Sequence, residues 1–161
     1  MALTQYAGFW LRFVAYIVDY IILQVIQSIV ILPVLGFFGF TFFTFNETIN
    51  WEDMSDGELI GLIISAISAG STLALFSLAI AVVYYTLMEA SKYQGTVGKI
   101  VLNLQVTDMD GRPLDVPKAF LRQIGKIVSG LILMIGYIMA GFTEKKQALH
   151  DMMAGALVVK K

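Results

Sequence analysis

An apolar run long enough to cross a lipid bilayer constrains this chain more than any other feature of its sequence. The residues from Leu11 to Leu35 are almost continuously hydrophobic. About 20 such residues in a helix span about 30 Å of hydrocarbon. A cleaved signal peptide would have a shorter apolar core and would not carry an aspartate in mid-span, as Asp19 does here. The run therefore predicts a first transmembrane helix over about residues 11–35 that stays in the mature protein.

The composition extends this interpretation to the whole chain. Hydrophobic residues make up 58% of the 161 residues, and the mean hydropathy is +0.77, which is too apolar for a soluble domain of this length. Further apolar stretches predict a second helix over about residues 59–88 and a third over about residues 124–142. No linker or internal repeat divides the chain, so a single domain over residues 1–161 is expected. The fold class is therefore an all-α membrane protein with about three transmembrane helices.

Several functions are disfavoured by the same composition. A net charge of −1 gives no indication of a nucleic-acid partner. The chain has no cysteine, so it carries neither a disulfide framework nor a thiolate site, and its single histidine, His150, cannot form a zinc site alone. No nucleophile and base stand at a recognisable spacing. We expect no metal, no cofactor and no enzymatic activity.

The charges of the connecting segments predict the orientation. Residues Asn46 to Glu58 hold five acidic residues and no basic one, so the positive-inside rule places this loop outside the cytoplasm. Residues Glu89 to Gln123 hold five basic residues and are expected to be cytoplasmic. In that connection, apolar and polar residues alternate on both sides of a turn at Asp108 to Arg112. This alternation predicts a short cytoplasmic β-hairpin over about residues 100–117.

The third apolar stretch leaves two topologies open. Three spans that start from a cytoplasmic amino terminus would leave the carboxyl-terminal tail outside. That tail carries Lys145, Lys146, Lys160 and Lys161, which favour the cytoplasm. The stretch also contains four glycines, so a re-entrant hairpin that returns to the cytoplasmic side is the alternative, provided that protein shields its backbone.

Three polar residues share one face of the first helix. Arg12, Tyr16 and Asp19 stand at positions i, i+4 and i+7. An ionised Asp19 at membrane depth costs about 2.5–3.5 kcal/mol, so it is expected to be paired, protonated or turned toward a polar cavity. Arg12 is either its partner or an anchor that extends to the membrane surface.

Two other places carry candidate charges. Glu89 closes the second helix and either pairs with Lys92 or is solvated at the helix end. Asp151 follows His150 between a basic cluster and an apolar tail, where it either caps a short helix or meets a charge from the first helix. A histidine beside an acid can also move protons near neutral pH. Spacing alone does not choose among these roles.

At these positions the sequence resembles the RDD family of bacterial membrane proteins, named for an arginine and two aspartates. The segment from Ala7 to Asp19 is similar to the family's first motif, with Arg12 and Asp19 as its arginine and first aspartate. The segment from Gln147 to Gly155 is similar to the closing motif, with Asp151 as the second aspartate. The central pattern is matched by Glu89-Ala-Ser91, Gly95-Thr-Val-Gly98-Lys99, the segment from Val106 to Gly111, and Arg122.

The resemblance implies a multi-pass protein of the bacterial inner (cytoplasmic) membrane. A few members of the family have been linked to exchange of Na⁺ or other monovalent cations for protons, so the lipid bilayer, such cations and protons are the implied partners. Asp19 and Asp151 would then bind the competing ions, and Arg12 would tune their charge. Four residues would support them, namely Tyr16, Glu89, His150 and Arg122. A homo-oligomer is expected, because three spans seldom enclose a pathway.

The alternative hypothesis is a membrane scaffold without transport. Arg12, Asp19 and Asp151 would then form a structural salt bridge that holds the helices and the tail together. Both hypotheses predict that these three residues converge near the cytoplasmic side, because separate unpaired charges at membrane depth would each be costly.

Overall fold

The computed structural model describes residues 5–46 and 53–161 and is mostly helical, with one small antiparallel sheet. Helices α1 (Phe9–Asn46) and α2 (Asp56–Ala90) are each long and apolar enough to cross a membrane. They are followed by α3 (Val97–Val101), β1 (Leu104–Asp108), α4 (Val116–Leu131), α5 (Ile135–Ile138), a 3₁₀ turn (Met139–Gly141), α6 (Leu149–Ala154) and β2 (Ala156–Lys160). The expected class, a helical membrane protein with a small sheet, is confirmed.

The first two helices are longer than their apolar runs predicted. α1 continues through Pro33 to Asn46, because a chain in lipid loses less by carrying one proline defect than by leaving several backbone groups unpaired. α2 begins at Asp56 because Ser55 and Glu58 cap it reciprocally: Ser55 N donates to Glu58 Oε2 at 2.8 Å, and Glu58 N donates to Ser55 Oγ at 3.4 Å. Residues 47–52 of the acidic loop lie outside the described residues, so the side of that loop stays a prediction.

Two compact units divide the chain. One consists of the residues up to Ile22 together with Ala81–Lys161, and the other is Leu23–Ile80. In the second unit, Gln27 Nε2 donates to the Ser77 carbonyl at 3.0 Å, and most of the apolar side chains are exposed, as suits helices surrounded by lipid. The single-domain organisation stays a prediction, because α1 and α2 each contribute residues to both units.

The core of the first unit is built around the sheet. β1 and β2 pair antiparallel, with Leu104 opposite Lys160 and Asp108 opposite Ala156. The amino-terminal segment joins them, because Ala7 N donates to the Val158 carbonyl at 2.8 Å. The apolar side chains that face inward are buried, including Leu104, Val106, Leu114, Ala119 and Val158.

The predicted hairpin is right in its first strand and wrong in its second. The turn after β1 forms, since Asp108 N donates to the Arg112 carbonyl at 2.8 Å, but pairing beyond it stops at the isolated bridge between Thr107 and Pro113. Proline has no N–H to extend a ladder. Asp115 instead caps α4 by accepting from Lys118 N at 2.9 Å. The partner of β1 is therefore β2, from the apolar tail.

The third apolar stretch is a broken helix. α4 begins at Val116, before the predicted start, and ends at Leu131, and the segment Ile135–Gly141 leaves it at an angle of 117°. Leu133 and Met134 at the break have left-handed backbone conformations, with φ of 55° and 62°. The stretch therefore does not form one straight span.

Close packing of α4 against α6 generates a prediction. A Cβ atom on Gly125 would lie 2.9 Å from His150 Cβ and 3.0 Å from His150 Cα, so the backbone would have to move. Gly125→Ala should lower the free energy of unfolding by about 1–3 kcal/mol. Gly130→Ala, in the same helix with nothing within 4 Å of the added Cβ, should be neutral or stabilising by up to about 1 kcal/mol. Thermal unfolding in detergent compares the two, and equal effects would contradict the packing.

Candidate functional site

A group of buried charges connects five helices of the first unit. Two carboxylates and four basic side chains take part, with ion-pair distances of at most 3.4 Å. We call these residues the charge network: Arg12 of α1, Glu89 of α2, Lys99 of α3, Arg122 and Lys126 of α4, and Asp151 of α6.

Asp151 anchors one end of the charge network. Its carboxylate is fully buried, Oδ1 accepts from Arg122 Nε at 2.7 Å, and Arg122 NH2 forms an ion pair with Oδ1, also at 2.7 Å. Oδ2 is bound by Arg12 NH1 and also accepts from Ala148 N at 3.0 Å, which caps α6. The two roles that the sequence left open for Asp151, helix capping and pairing with the first helix, are therefore combined.

Arg12 ties α1 to two backbone segments as well as to Asp151. Its Nε donates to the Ala7 carbonyl at 2.8 Å, and its NH2 donates to the Lys146 carbonyl at 2.6 Å. All three guanidinium nitrogens thus have protein acceptors. Arg12 is a partner within the fold and not an anchor extended to the membrane surface.

Glu89 anchors the other end. Lys99 Nζ lies 2.5 Å and Arg122 NH1 lies 2.6 Å from Oε1, and Gln123 Nε2 donates to Oε2 at 2.9 Å. Both expectations for Glu89, pairing with Lys92 and a solvated helix end, are wrong. Its carboxylate is buried, and its partners come from α3 and α4. Lys92 lies over the Tyr93 ring instead, 5.3 Å from its centroid. Sequence reasoning missed Lys99, Gln123 and Lys126 as partners, although Lys99 belongs to the central motif.

Arg122 joins the two ends, because it binds both Glu89 and Asp151. One guanidinium therefore connects the two carboxylates of the charge network.

Two members of the charge network outside the membrane-spanning helices, Asp151 and Lys99, have pKa values far below their ordinary values. Burial alone would raise the pKa of Asp151, but Arg122 and Arg12 lower it far below its ordinary value. Burial lowers the pKa of Lys99 to about 7, although Glu89 acts in the opposite direction. Asp151 therefore stays ionised across the physiological pH range.

Asp19 lies in a different environment. Its side chain is 1% exposed and accepts hydrogen bonds from Thr96 Oγ1 at 2.5 Å, Gly98 N at 2.8 Å and the Tyr84 hydroxyl at 3.1 Å. Among the described residues, Asp19 forms no ion pair. The predicted convergence is therefore right for Arg12 with Asp151 and wrong for Asp19.

The start of α3 explains this separation. The first amides of a helix have no partner within the helix, and here the Gly98 amide points at the Asp19 carboxylate. A Cβ on Gly98 would overlap the Ala15 carbonyl oxygen, so only glycine lets α3 approach α1 this closely. The central motif from Gly95 to Lys99 thus supplies Thr96 and Gly98 to Asp19, and Lys99 to Glu89.

The structure does not bring the two remaining predicted residues into active roles. Tyr16 is 54% exposed and has no hydrogen bond to Asp19 among the described contacts. His150 is 4% exposed, and burial followed by the charge of Arg122 lowers its pKa far below the ordinary value. A histidine that remains neutral does not exchange protons near pH 7, so the basis for a shuttle is lost. In residues 5–46 and 53–161, no three His, Asp or Glu side chains form a candidate metal site.

The burial of His150 predicts how stability depends on pH. Below its ordinary pKa of about 6.5, the unfolded chain binds a proton that the folded protein excludes, so unfolding is increasingly favoured as pH falls. Between pH 6.5 and 5 the loss of stability from this group should steepen from about 0.7 to about 1.4 kcal/mol per pH unit. His150→Gln should show a shallower slope of unfolding free energy against pH, whatever its absolute stability. Parallel slopes would contradict a neutral buried histidine.

The chain is similar to known proteins along nearly its whole length. A sequence model described as "RDD family" matches residues 6–155, which include Arg12, Asp19 and Asp151. "Uncharacterized protein YxaI" of Bacillus subtilis (strain 168) is 36% identical over 155 residues, covering 96% of this chain and 97% of that protein. "Uncharacterized membrane protein YteJ" of the same organism is 24% identical over 156 residues, covering 96% of this chain and 80% of that protein. No solved structure matches.

Proposed function

This chain belongs to the RDD family, and we propose that it exchanges a monovalent cation for a proton at Asp19 in the inner (cytoplasmic) membrane of a bacterium. The protein is a membrane protein by its helices and its relatives. One observation carries the proposal: Asp19 is a buried carboxylate in a candidate membrane helix, and its described hydrogen-bond donors are all neutral.

A carboxylate without a countercharge suits binding of exchangeable ions. In a low-dielectric environment its negative charge is costly, and either a proton or a small cation removes that cost. The hydroxyls of Thr96 and Tyr84 stand within 3.1 Å of the carboxylate. Rotation of either hydroxyl can turn an oxygen lone pair toward a bound cation, and oxygen ligands suit hard cations such as Na⁺. Because both ions need the same carboxylate, binding of one displaces the other.

Asp151 has a different role in this proposal. Arg12, Arg122 and Ala148 N occupy both of its carboxylate oxygens, so no acceptor is left for an exchanged ion. We assign Asp151 to the frame that positions α1, on which Asp19 lies two turns from Arg12. The proposal therefore narrows the exchange site to one of the two aspartates that the family resemblance implied.

A homo-oligomer belongs to the same proposal. Two candidate spans, or three if the bent pair counts as one, offer few surfaces to enclose an aqueous path to Asp19. Additional copies of the chain would supply the missing walls.

A second candidate function, a membrane scaffold without transport, is favoured by the charge network itself. Each carboxylate in that network is bound by at least two basic side chains, and the five connected helices need no ion flux to be held together. On this hypothesis, Asp19 only caps α3 from outside the helix through Gly98 N.

The substitution Asp19→Asn separates the two hypotheses. Asparagine keeps the size of the side chain and removes the charge that both ions need. In proteoliposomes with an internal pH-sensitive dye, the parent should respond to added Na⁺ or K⁺, and Asp19→Asn should lose at least about 90% of the initial rate. Asp110→Asn, the same change in an exposed turn, is the matched control and should keep the parental rate.

Two outcomes would contradict exchange at Asp19. A parent that is silent at confirmed reconstitution density, beside a working control exchanger, contradicts exchange of the cations tested and supports the scaffold. Equal flux through the parent and Asp19→Asn places the exchange site elsewhere.

A further inference from the structure

The small sheet fixes three parts of the chain on one side of the membrane. Tyr6 pairs with Val159, Ala7 N donates to the Val158 carbonyl, and β1 pairs with β2 along its length. Hydrogen-bonded strands lie about 5 Å apart, whereas the hydrocarbon of a bilayer is about 30 Å thick. The amino-terminal segment, β1 and β2 therefore all lie on the same side.

This arrangement restricts the segment between β1 and β2. A chain that leaves β1 and returns to β2 on the same side must cross the membrane an even number of times. Counted as one bent span, α4 with Ile135–Gly141 would give a single crossing, which the pairing of the strands forbids. We infer that residues 116–141 form a re-entrant hairpin that enters one leaflet and returns to the side from which it came, with its tip at residues 131–135 in contact with lipid acyl chains.

The dimensions of the two arms agree with this inference. α4 has 16 residues and is about 24 Å long, which is shorter than the hydrocarbon thickness. The returning arm, Ile135–Gly141, is shorter still and leaves at 117°. Neither arm reaches the opposite surface alone.

The exposed side chains at the tip of the hairpin indicate that lipid surrounds it. Leu131 is 79% and Leu133 is 85% exposed, and Leu133 and Met134 adopt left-handed conformations that side-chain-bearing residues seldom take. A turn in water would place Gly or Asn at such positions. Large apolar side chains at a strained, exposed turn are consistent with hydrocarbon and not water as their surroundings.

The two faces of α4 match a helix that lies between protein and lipid. One face buries Arg122, Gln123 and Ser129 against protein, and the opposite face exposes apolar side chains, namely Phe120, Leu121, Ile124, Ile127 and Val128. The protein side shields polar groups, which a re-entrant segment requires, and the apolar side meets lipid. Two basic residues stand at the ends of the hairpin, Lys118 in the first turn of α4 and Lys145 after Gly141, and both are exposed. On this inference they lie on one side of the membrane, and the positive-inside rule makes that side the cytoplasm.

Single cysteines test the inference directly, because the chain has none of its own. The full-length variants Lys118→Cys, Lys145→Cys, Leu133→Cys, Met134→Cys and Asn50→Cys would be treated with a membrane-impermeant maleimide in spheroplasts and in inverted vesicles. Lys118→Cys and Lys145→Cys should react only in inverted vesicles, and Asn50→Cys, the reference for the acidic loop, should react only in spheroplasts. The two tip cysteines should react in neither until detergent is added.

A spin label on the two tip cysteines distinguishes lipid from a protein interior. Lipid contact gives high collision rates with oxygen and low rates with a polar nickel complex, and this is the expected result. Labelling of Lys118→Cys and Lys145→Cys from opposite sides would show a complete span and overturn the inference. It is equally overturned by tip cysteines that react without detergent, or by spin labels that neither reagent reaches. None of these outcomes depends on whether Asp19 exchanges ions.

Discussion

The first unit depends on one buried guanidinium, Arg122, placed between the carboxylates of Glu89 and Asp151. Charges removed from water require partners, and each of these carboxylates is shared with a further basic residue, Lys99 or Arg12. α2, α4 and α6 are therefore fixed by one side chain, and α1 and α3 are attached through its partners. Loss of any member would leave buried charges without compensation, so the charge network acts as a unit.

The family motifs contain two aspartates, Asp19 and Asp151, and only Asp151 belongs to the charge network. Asp151 is bound by two arginines, whereas Asp19 accepts hydrogen bonds from two hydroxyls and from one amide of α3, that of Gly98. A buried carboxylate that is already paired with basic side chains gains little free energy from binding another cation or a proton. A buried carboxylate that has only neutral donors gains much more, because the bound ion neutralises its charge. This contrast is what assigns the proposed exchange to Asp19 and the framework role to Asp151.

The sequence was informative where the signal was local. Apolar runs located α1 and α2, because a helix that crosses about 30 Å of hydrocarbon needs about 20 consecutive apolar residues, and family motifs located Arg12, Asp19 and Asp151. Pairing between distant segments was not predictable, because β2 lies about fifty residues beyond β1 and an apolar tail does not reveal its partner. The partners of Glu89 were not predictable for the same reason, because they lie on α3 and α4. Asp19 binds the amino-terminal end of α3, a helix too short to be recognised from periodicity.

A double-mutant cycle tests the charge network most directly. Arg12→Gln, Asp151→Asn and the double variant would be compared by denaturant unfolding in detergent, beside the same cycle at the exposed pair Lys118–Asp115, whose side chains are 49% and 58% exposed. The buried pair should show a favourable coupling energy of about 1–3 kcal/mol, and the exposed pair one below about 1 kcal/mol. A coupling energy for Arg12 and Asp151 no larger than that of the exposed pair would contradict the account.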